Sequence, residues 1–222
     1  MAGVRLIGRG LSDTLEHLLT FTLYSLTWWL GVFLIVTAPA ATMALFTMTD
    51  PRLAIAQPEL KEAFRTVRQR FRHGWAIALL TVPVPLVLAN NLIFYGRSDS
   101  FFGWLAPFWL FLLVLSLAAT LATFSVAALT DARPIAALKT GALLTAVHPL
   151  RAGIVVVLLW VLIAIGGALV VPLVMFLPAT VAATINRFVL TGLRIDIPDP
   201  LKPTEERLRE ELGKKRSKRF GP

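Results

Sequence analysis

Cysteine is absent from the chain, and that one gap removes structural disulfides, thiolate metal sites, iron-sulfur clusters and cysteine nucleophiles together. Redox chemistry built on the protein itself is thereby excluded. Histidine is scarce too: His17, His73 and His148 lie in different flanks, with no pair spaced for zinc, no HExxH and no glycine-rich phosphate loop. The expectation is a chain with no catalytic residues, no cofactor and no metal, and not an enzyme. Charge is the third shortage. Only 16% of the 222 residues are charged, 56% are hydrophobic and the mean hydropathy is +0.72, too apolar for a soluble domain of this size. The sequence is that of an integral membrane protein of the all-α class, a polytopic transmembrane helical bundle.

Ionisable residues come in blocks, and the gaps between blocks define the spans. No Asp, Glu, Lys, Arg or His occurs in 18–49, 74–96, 100–130 or 152–185. A crossing needs roughly 20 residues at about 1.5 Å each, so the second and third gaps make one span apiece, joined by the polar turn Arg97, Ser98 and Asp99. The first gap is longer and contains Pro39, read as a kink between the main crossing and its continuation. The last is longer still and is divided by Gly166, Gly167, Pro172 and Pro178. About five spans result, near 18–48, 75–95, 104–130, 152–171 and 177–192, the last of them either crossing or re-entering. An amphipathic lead, 1–17, precedes them and a basic tail, 193–222, follows. Val4, Ile7, Leu11, Leu15 and Leu18 recur at helical spacing in the lead, which reads as an interfacial helix and lacks the cleavage site of a signal peptide.

Basic residues set the orientation. Lys and Arg number 22 against 13 Asp and Glu, a net charge of +9 that points to anionic lipid and membrane sidedness before nucleic acid. With five spans, the blocks 50–73, 131–151 and 186–222 share a side and hold all the basic residues except Arg5, Arg9 and Arg97. The carboxyl terminus is therefore expected in the cytoplasm of a multipass cell-membrane protein. The amino terminus falls outside on this count, unless Arg5 and Arg9 hold the lead on the inner face.

Two internal echoes stand out. Thr49-Asp50-Pro51-Arg52 matches Thr130-Asp131-Ala132-Arg133, and the run from Pro39 to Ala44 matches that from Pro178 to Ala183. Duplicated halves with corresponding helix breaks occur in transporters. Small residues are also common in membrane helices, and short matches arise by chance.

The richest polar segment is 59–73. Leu60, Phe64, Val67 and Phe71 form one helical stripe, and Lys61, Glu62, Arg65, Arg68, Arg70 and Arg72 cover the remainder. Phe64, Arg65, Val67, Arg68, Phe71 and Arg72 are accordingly candidates for docking a partner or anionic lipid headgroups. A second cytoplasmic segment, 135–147, carries Lys139 as its lone charge; Ala136 to Gly141 resembles the loop with which binding-protein-dependent permeases contact their ATPase, with Ile135 where that loop has an acid. In the tail, Thr204 can cap a short charged helix, and Lys214, Lys215, Arg216, Lys218 and Arg219 form a polybasic cluster suited to anionic lipid, or a solvated end.

No acid, base or histidine lies within the first four deduced span cores, which leaves proton-coupled transport and intramembrane hydrolysis without a candidate residue. Asn90, Asn91 and Asn186 remain as a candidate polar site, with interhelical bonding as their commoner use. Arg187 is expected to snorkel to headgroups, and most of the six tryptophans to anchor span ends.

The tryptophan-bearing first span, the run Ile35-Val36-Thr37-Ala38-Pro39-Ala40 with Ala44 and Leu45, and the basic helix with Phe64, Arg65, Phe71 and Arg72 together resemble the YesL family of bacterial membrane proteins. Ala38 stands where the family often has glycine, and no asparagine precedes the tryptophans. The family is largely uncharacterised, and its members often accompany carbohydrate uptake systems. The resemblance thus implies an accessory role beside transporter subunits. Two other classes compete with it: a lipid-binding, membrane-organising protein, and a small permease acting as a homo-oligomer.

Overall fold

A computed structural model of the protein describes residues 8–9, 11, 15, 18–53, 60–97, 101–168, 171–195 and 197, with side chains at all of these except 60, 101–102, 158, 162–163, 165–168 and 171–174. Among the described residues every regular element is helical. They are α1 (Leu18–Phe33), α2 (Ala38–Met48), α3 (Leu60–Gln69), α4 (Phe71–Thr81), α5 (Pro83–Gly96), α6 (Ala106–Thr130), α7 (Pro134–Val147), α8 (Pro149–Ala168) and α9 (Val171–Gly192), with 3-10 turns at Ile35–Thr37, Pro51–Leu53 and Phe101–Leu105. The all-α expectation is met. Two continuous stretches, Phe71–Gly96 and Gly103–Thr130, are long and apolar enough to cross a membrane, and two bent pairs bring the number to four if each is one span.

Helix α6 alone is about 37 Å long at 1.5 Å per residue, more than the roughly 30 Å hydrocarbon core requires. Helices α4 and α5 run on as one stretch, because Pro83 opens α5, where a missing amide forfeits no hydrogen bond. Only 17% of that stretch's most apolar window is buried. Leu79, Leu86 and Phe94 turn outward instead, which is tolerable where the solvent is lipid.

The first apolar run departs from a single kinked crossing. Helices α1 and α2 meet at 118°, so the chain turns back on itself. The break lies at 34–37, ahead of Pro39: Ile35 has φ 33°, and the Val36 amide donates to the Leu34 carbonyl. Pro39 follows in the first turn of α2, where it starts a helix rather than kinks one. Phe33, Leu34, Ile35 and Val36 at the tip are all exposed, and Trp75 of α4 holds the turn by donating Nε1–H to the Val36 carbonyl at 2.8 Å.

Proline governs the later elements in the same way. Pro134, Pro149 and Pro172 fall in the first turns of α7, α8 and α9. Pro172 thus opens a helix that begins six residues before the expected fifth span, and α7 and α8 meet at 96°. The segment 59–73 is likewise divided. Helix α3 stops at Gln69, and Phe71, Arg72 and His73 belong to the apolar helix α4.

Short α2 occupies the centre, against α1, α3, α4, α6 and α9. Its Ala40, Ala41 and Ala44 present no bulk, so backbones approach closely around the buried Met43 and Phe46. Gly74 of α4 is required at this crossing: a Cβ there would sit 2.9 Å from the Pro39 carbonyl group.

Candidate functional site

Three features gather around α2, and the first two begin with backbone groups that their own helices cannot satisfy. The last carbonyls of a helix lack intrahelical donors. At the end of α2 the Asp50 amide bonds to Thr47, and the Phe46 carbonyl accepts instead from Asn186 Nδ2 of α9 at 2.8 Å. The same Nδ2 reaches Thr49 Oγ1 at 3.2 Å, while Asn186 Oδ1 accepts from the Ser125 hydroxyl of α6 at 2.6 Å. Asn186 and Ser125 are completely buried, and this node joins α2, α6 and α9. Deeper along α9, the amide of Ala179 beside Pro178 donates to buried Ser25 Oγ of α1 at 3.3 Å.

The carboxyl end of α6 is held by two arginines. Arg52 donates to the Leu129 carbonyl at 3.0 Å and forks onto Asp50, with Nη2 2.6 Å from Oδ2. The hydrogen-bonded Asp50 carboxylate holds the Arg52 guanidinium pKa above its ordinary value, burial opposing it less strongly. Arg70, ending α3, donates to the Ala127 carbonyl at 3.3 Å and pairs with Asp131, the left-handed residue (φ 52°) that closes α6. Part of the first sequence echo thus becomes one structure: Thr49 and Thr130 hydroxyls both donate four residues back, and Asp50, Arg52 and Asp131 behind them, with Arg70, tie the ends of α2, α3 and α6 together.

Beside the node lies an apolar cavity of about 430 Å³ between α1, α2, α6, α8 and α9. Trp28, Trp29 and Trp160 line it with Phe46, Leu121, Leu159, Leu177 and Val181. Its two hydroxyls are already engaged: Thr42 donates to the Ala38 carbonyl and accepts from Trp28 Nε1 at 3.1 Å, and Thr120 donates to the Ser116 carbonyl. Among the described residues no titratable side chain lines the cavity. Most of the six tryptophans are expected at span ends; Trp28 points into the protein, bonded to Thr42 and packed edge to face with Trp29 at 5.0 Å.

The docking candidates separate into two faces. Val67, with Ala63, packs toward Tyr24, Thr27 and Met48, so it belongs to the interior side of α3. Phe64 is 61% exposed, Arg65, Arg68 and Arg72 are exposed, and Phe71 is half-buried on α4. Asn186 is the structural node, and the structure does not join it to Asn90 or Asn91, which sit exposed and half-buried on α5. Arg187 does not snorkel: it is 3% exposed and engaged within the protein. Lys214, Lys215, Arg216, Lys218 and Arg219 lie outside the described residues, as does most of the lead. Sequence reasoning passed over Arg52, Arg70, Ser25 and Ser125; the Thr-Asp-x-Arg echo was the signal for the first of these.

Among the described residues no group of three or more His, Asp or Glu could hold a metal. Comparison with protein-family models, with curated proteins and with solved structures finds no match for this chain.

Proposed function

We propose that this is a multipass membrane protein that binds lipid and organises the bilayer around itself without carrying out a reaction, with the apolar cavity as its acyl-chain site. The observation that carries this reading is the cavity's chemistry. Its volume of about 430 Å³ falls within the roughly 300–1,000 Å³ of ligand sites, yet its walls are almost wholly apolar, and the Thr42 and Thr120 hydroxyls and the Trp28 indole among them are already bonded. A sugar there would lose the hydration of its many hydroxyls to walls that offer few groups to bond them. Water is excluded by the same argument, and Trp160, Val157 and Val161 make the exterior of α8 apolar as well. Hydrocarbon is the occupant that such walls accept.

The test is lipid analysis of the protein purified in mild detergent, wild type against Leu121→Trp, which fills the cavity. The expected outcome is co-purifying phospholipid that falls by at least half in the variant. Equal lipid in the two proteins would sink the assignment.

The topology that goes with this reading treats α1 and α2 as a re-entrant hairpin, with α4–α5, α6, α8 and α9 crossing. The contacts of Arg52 with Leu129, Arg70 with Asp131 and Asn186 with Thr49 gather the ends of α2, α3, α6 and α9 at one side of the bundle. If α1 also starts there, every Lys and Arg except Arg97 lies on that side, a stronger bias than five crossings give. Both termini are then cytoplasmic. Because the chain has no cysteine, Ser12→Cys, Ser98→Cys and Ser217→Cys can each be labelled alone. Ser12→Cys should react from the same side as Ser217→Cys; reaction alongside Ser98→Cys would restore a full first crossing.

A second reading, an accessory role beside transporter subunits of a carbohydrate uptake system, is favoured by the projecting Phe64 with Arg65 and Arg68. Affinity purification of wild type against an Arg65, Arg68 and Arg72 charge reversal tests it: transporter subunits should be recovered with wild type alone.

A further inference from the structure

The molecule carries a second concavity, which shares no lining residue with the cavity. It is an open groove of about 730 Å³ between α4 and α7, floored by Ala76, Leu80, Pro134, Ile135 and Ala136 and bordered by Arg133 and Lys139. Both cations are exposed, and among the described residues neither forms an ion pair. The acid closest to them in sequence, Asp131, is already paired with Arg70. The floor continues onto the outward apolar face of α4 at Leu79, within a stretch long enough to cross the bilayer. An apolar trough with two unneutralised cations at its border complements one kind of molecule, an amphiphile with a hydrocarbon chain and an anionic head.

We propose that the α4–α7 groove is a binding site for an anionic phospholipid of the bilayer. Arg133 and Lys139 hold the phosphate-bearing head, and Ala76, Leu80 and Ile135 carry the upper part of one acyl chain. The site is separate from the acyl cavity and from the exposed face of α3, and it rests on the membrane reading above only in requiring a bilayer at α4. Its consequence is selectivity. The cavity is indifferent to headgroup, whereas the groove discriminates between anionic and zwitterionic lipid.

The probe is phosphatidylglycerol against phosphatidylcholine, each offered in nanodiscs holding the full chain, with retained lipid counted by mass spectrometry after detergent release. Wild type should retain phosphatidylglycerol preferentially. At about 1 kcal/mol for each basic residue near the surface, Arg133→Gln with Lys139→Gln should weaken that preference roughly 30-fold. Arg133→Lys with Lys139→Arg, which keeps both charges, should retain it and so controls for folding. Arg65→Gln with Arg68→Gln should retain it as well. An unchanged preference in the Arg133 and Lys139 double variant overturns the proposal, and so does a loss that is equal for the two lipids. The cavity reading fails separately: if Leu121→Trp changes no lipid while the double variant abolishes the preference, the groove stands and the cavity falls.

Discussion

The hydroxyl of Ser125 on α6 donates to the side-chain oxygen of Asn186 on α9 at 2.6 Å, with neither residue exposed at all. Through its amide nitrogen Asn186 then closes the open end of α2. Three helices are thereby held in one register by a single side chain, because in apolar surroundings each of these groups is costly to leave unpaired.

Replacing Asn186 by Leu keeps the volume and removes all three bonds. It should cost about 1–3 kcal/mol, read as a lower Tm in detergent. Asn90→Leu, on the exposed face of α5, should change Tm little. Equal effects at the two positions would remove Asn186 from its structural role.

Gly74 packs against the backbone of Pro39 and Ala40, so the neighbour has no flexible end to withdraw. Gly74→Ala should destabilise by about 1–3 kcal/mol through overpacking. Gly96→Ala, with nothing within 4 Å of the new Cβ, serves as the control and should leave the thermal midpoint unchanged.

The two ion pairs at the end of α6 should respond unequally. Asp131 is 77% exposed on its side chain and Asp50 only 9%. Asp131→Asn should therefore shift stability by less than about 1 kcal/mol, whereas Arg52→Ala leaves the Asp50 carboxylate with only the backbone amide of residue 52 and the Leu129 carbonyl without its guanidinium donor, and should cost about 1–3 kcal/mol. Chemical denaturation of the purified variants ranks them; the reverse order would contradict the burial argument.

Ile35 is a β-branched residue in the left-handed region, at the tip where the first apolar run reverses. Such a conformation stores about 1–3 kcal/mol in a residue that does not favour it. Ile35→Gly should accordingly be neutral or raise stability by up to about 1 kcal/mol, whereas Leu30→Gly, within α1, should lower it by a comparable amount. A clear loss of stability in Ile35→Gly would mean that the reversal does not depend on that backbone geometry.

What could be read from the residues alone follows from solvent physics. Long stretches without a charge, at a mean hydropathy of +0.72, point to helices long and apolar enough to cross a membrane, and the second and third of these emerged because each apolar gap accommodates one crossing. Where a gap exceeded one crossing, its prolines were ambiguous. Pro39 and Pro172 read equally as kinks within a helix or as the first turn of a new one, since both positions follow an apolar run. The pattern over 59–73 similarly marked an amphipathic helix, but not that the chain would break at Arg70 to send that side chain to α6.

Composition by itself determined that this protein has no thiol chemistry, that it is helical, and which segments suit lipid. Tertiary structure alone decided that Asn186 joins α2, α6 and α9, that Arg52 and Arg70 share one helix end, and that Trp28 faces inward beside a cavity. The physical reason is range. Hydropathy is a local property summed along the chain, whereas an unsatisfied carbonyl finds its donor wherever packing brings one: 140 residues away for Phe46 and 77 for Leu129.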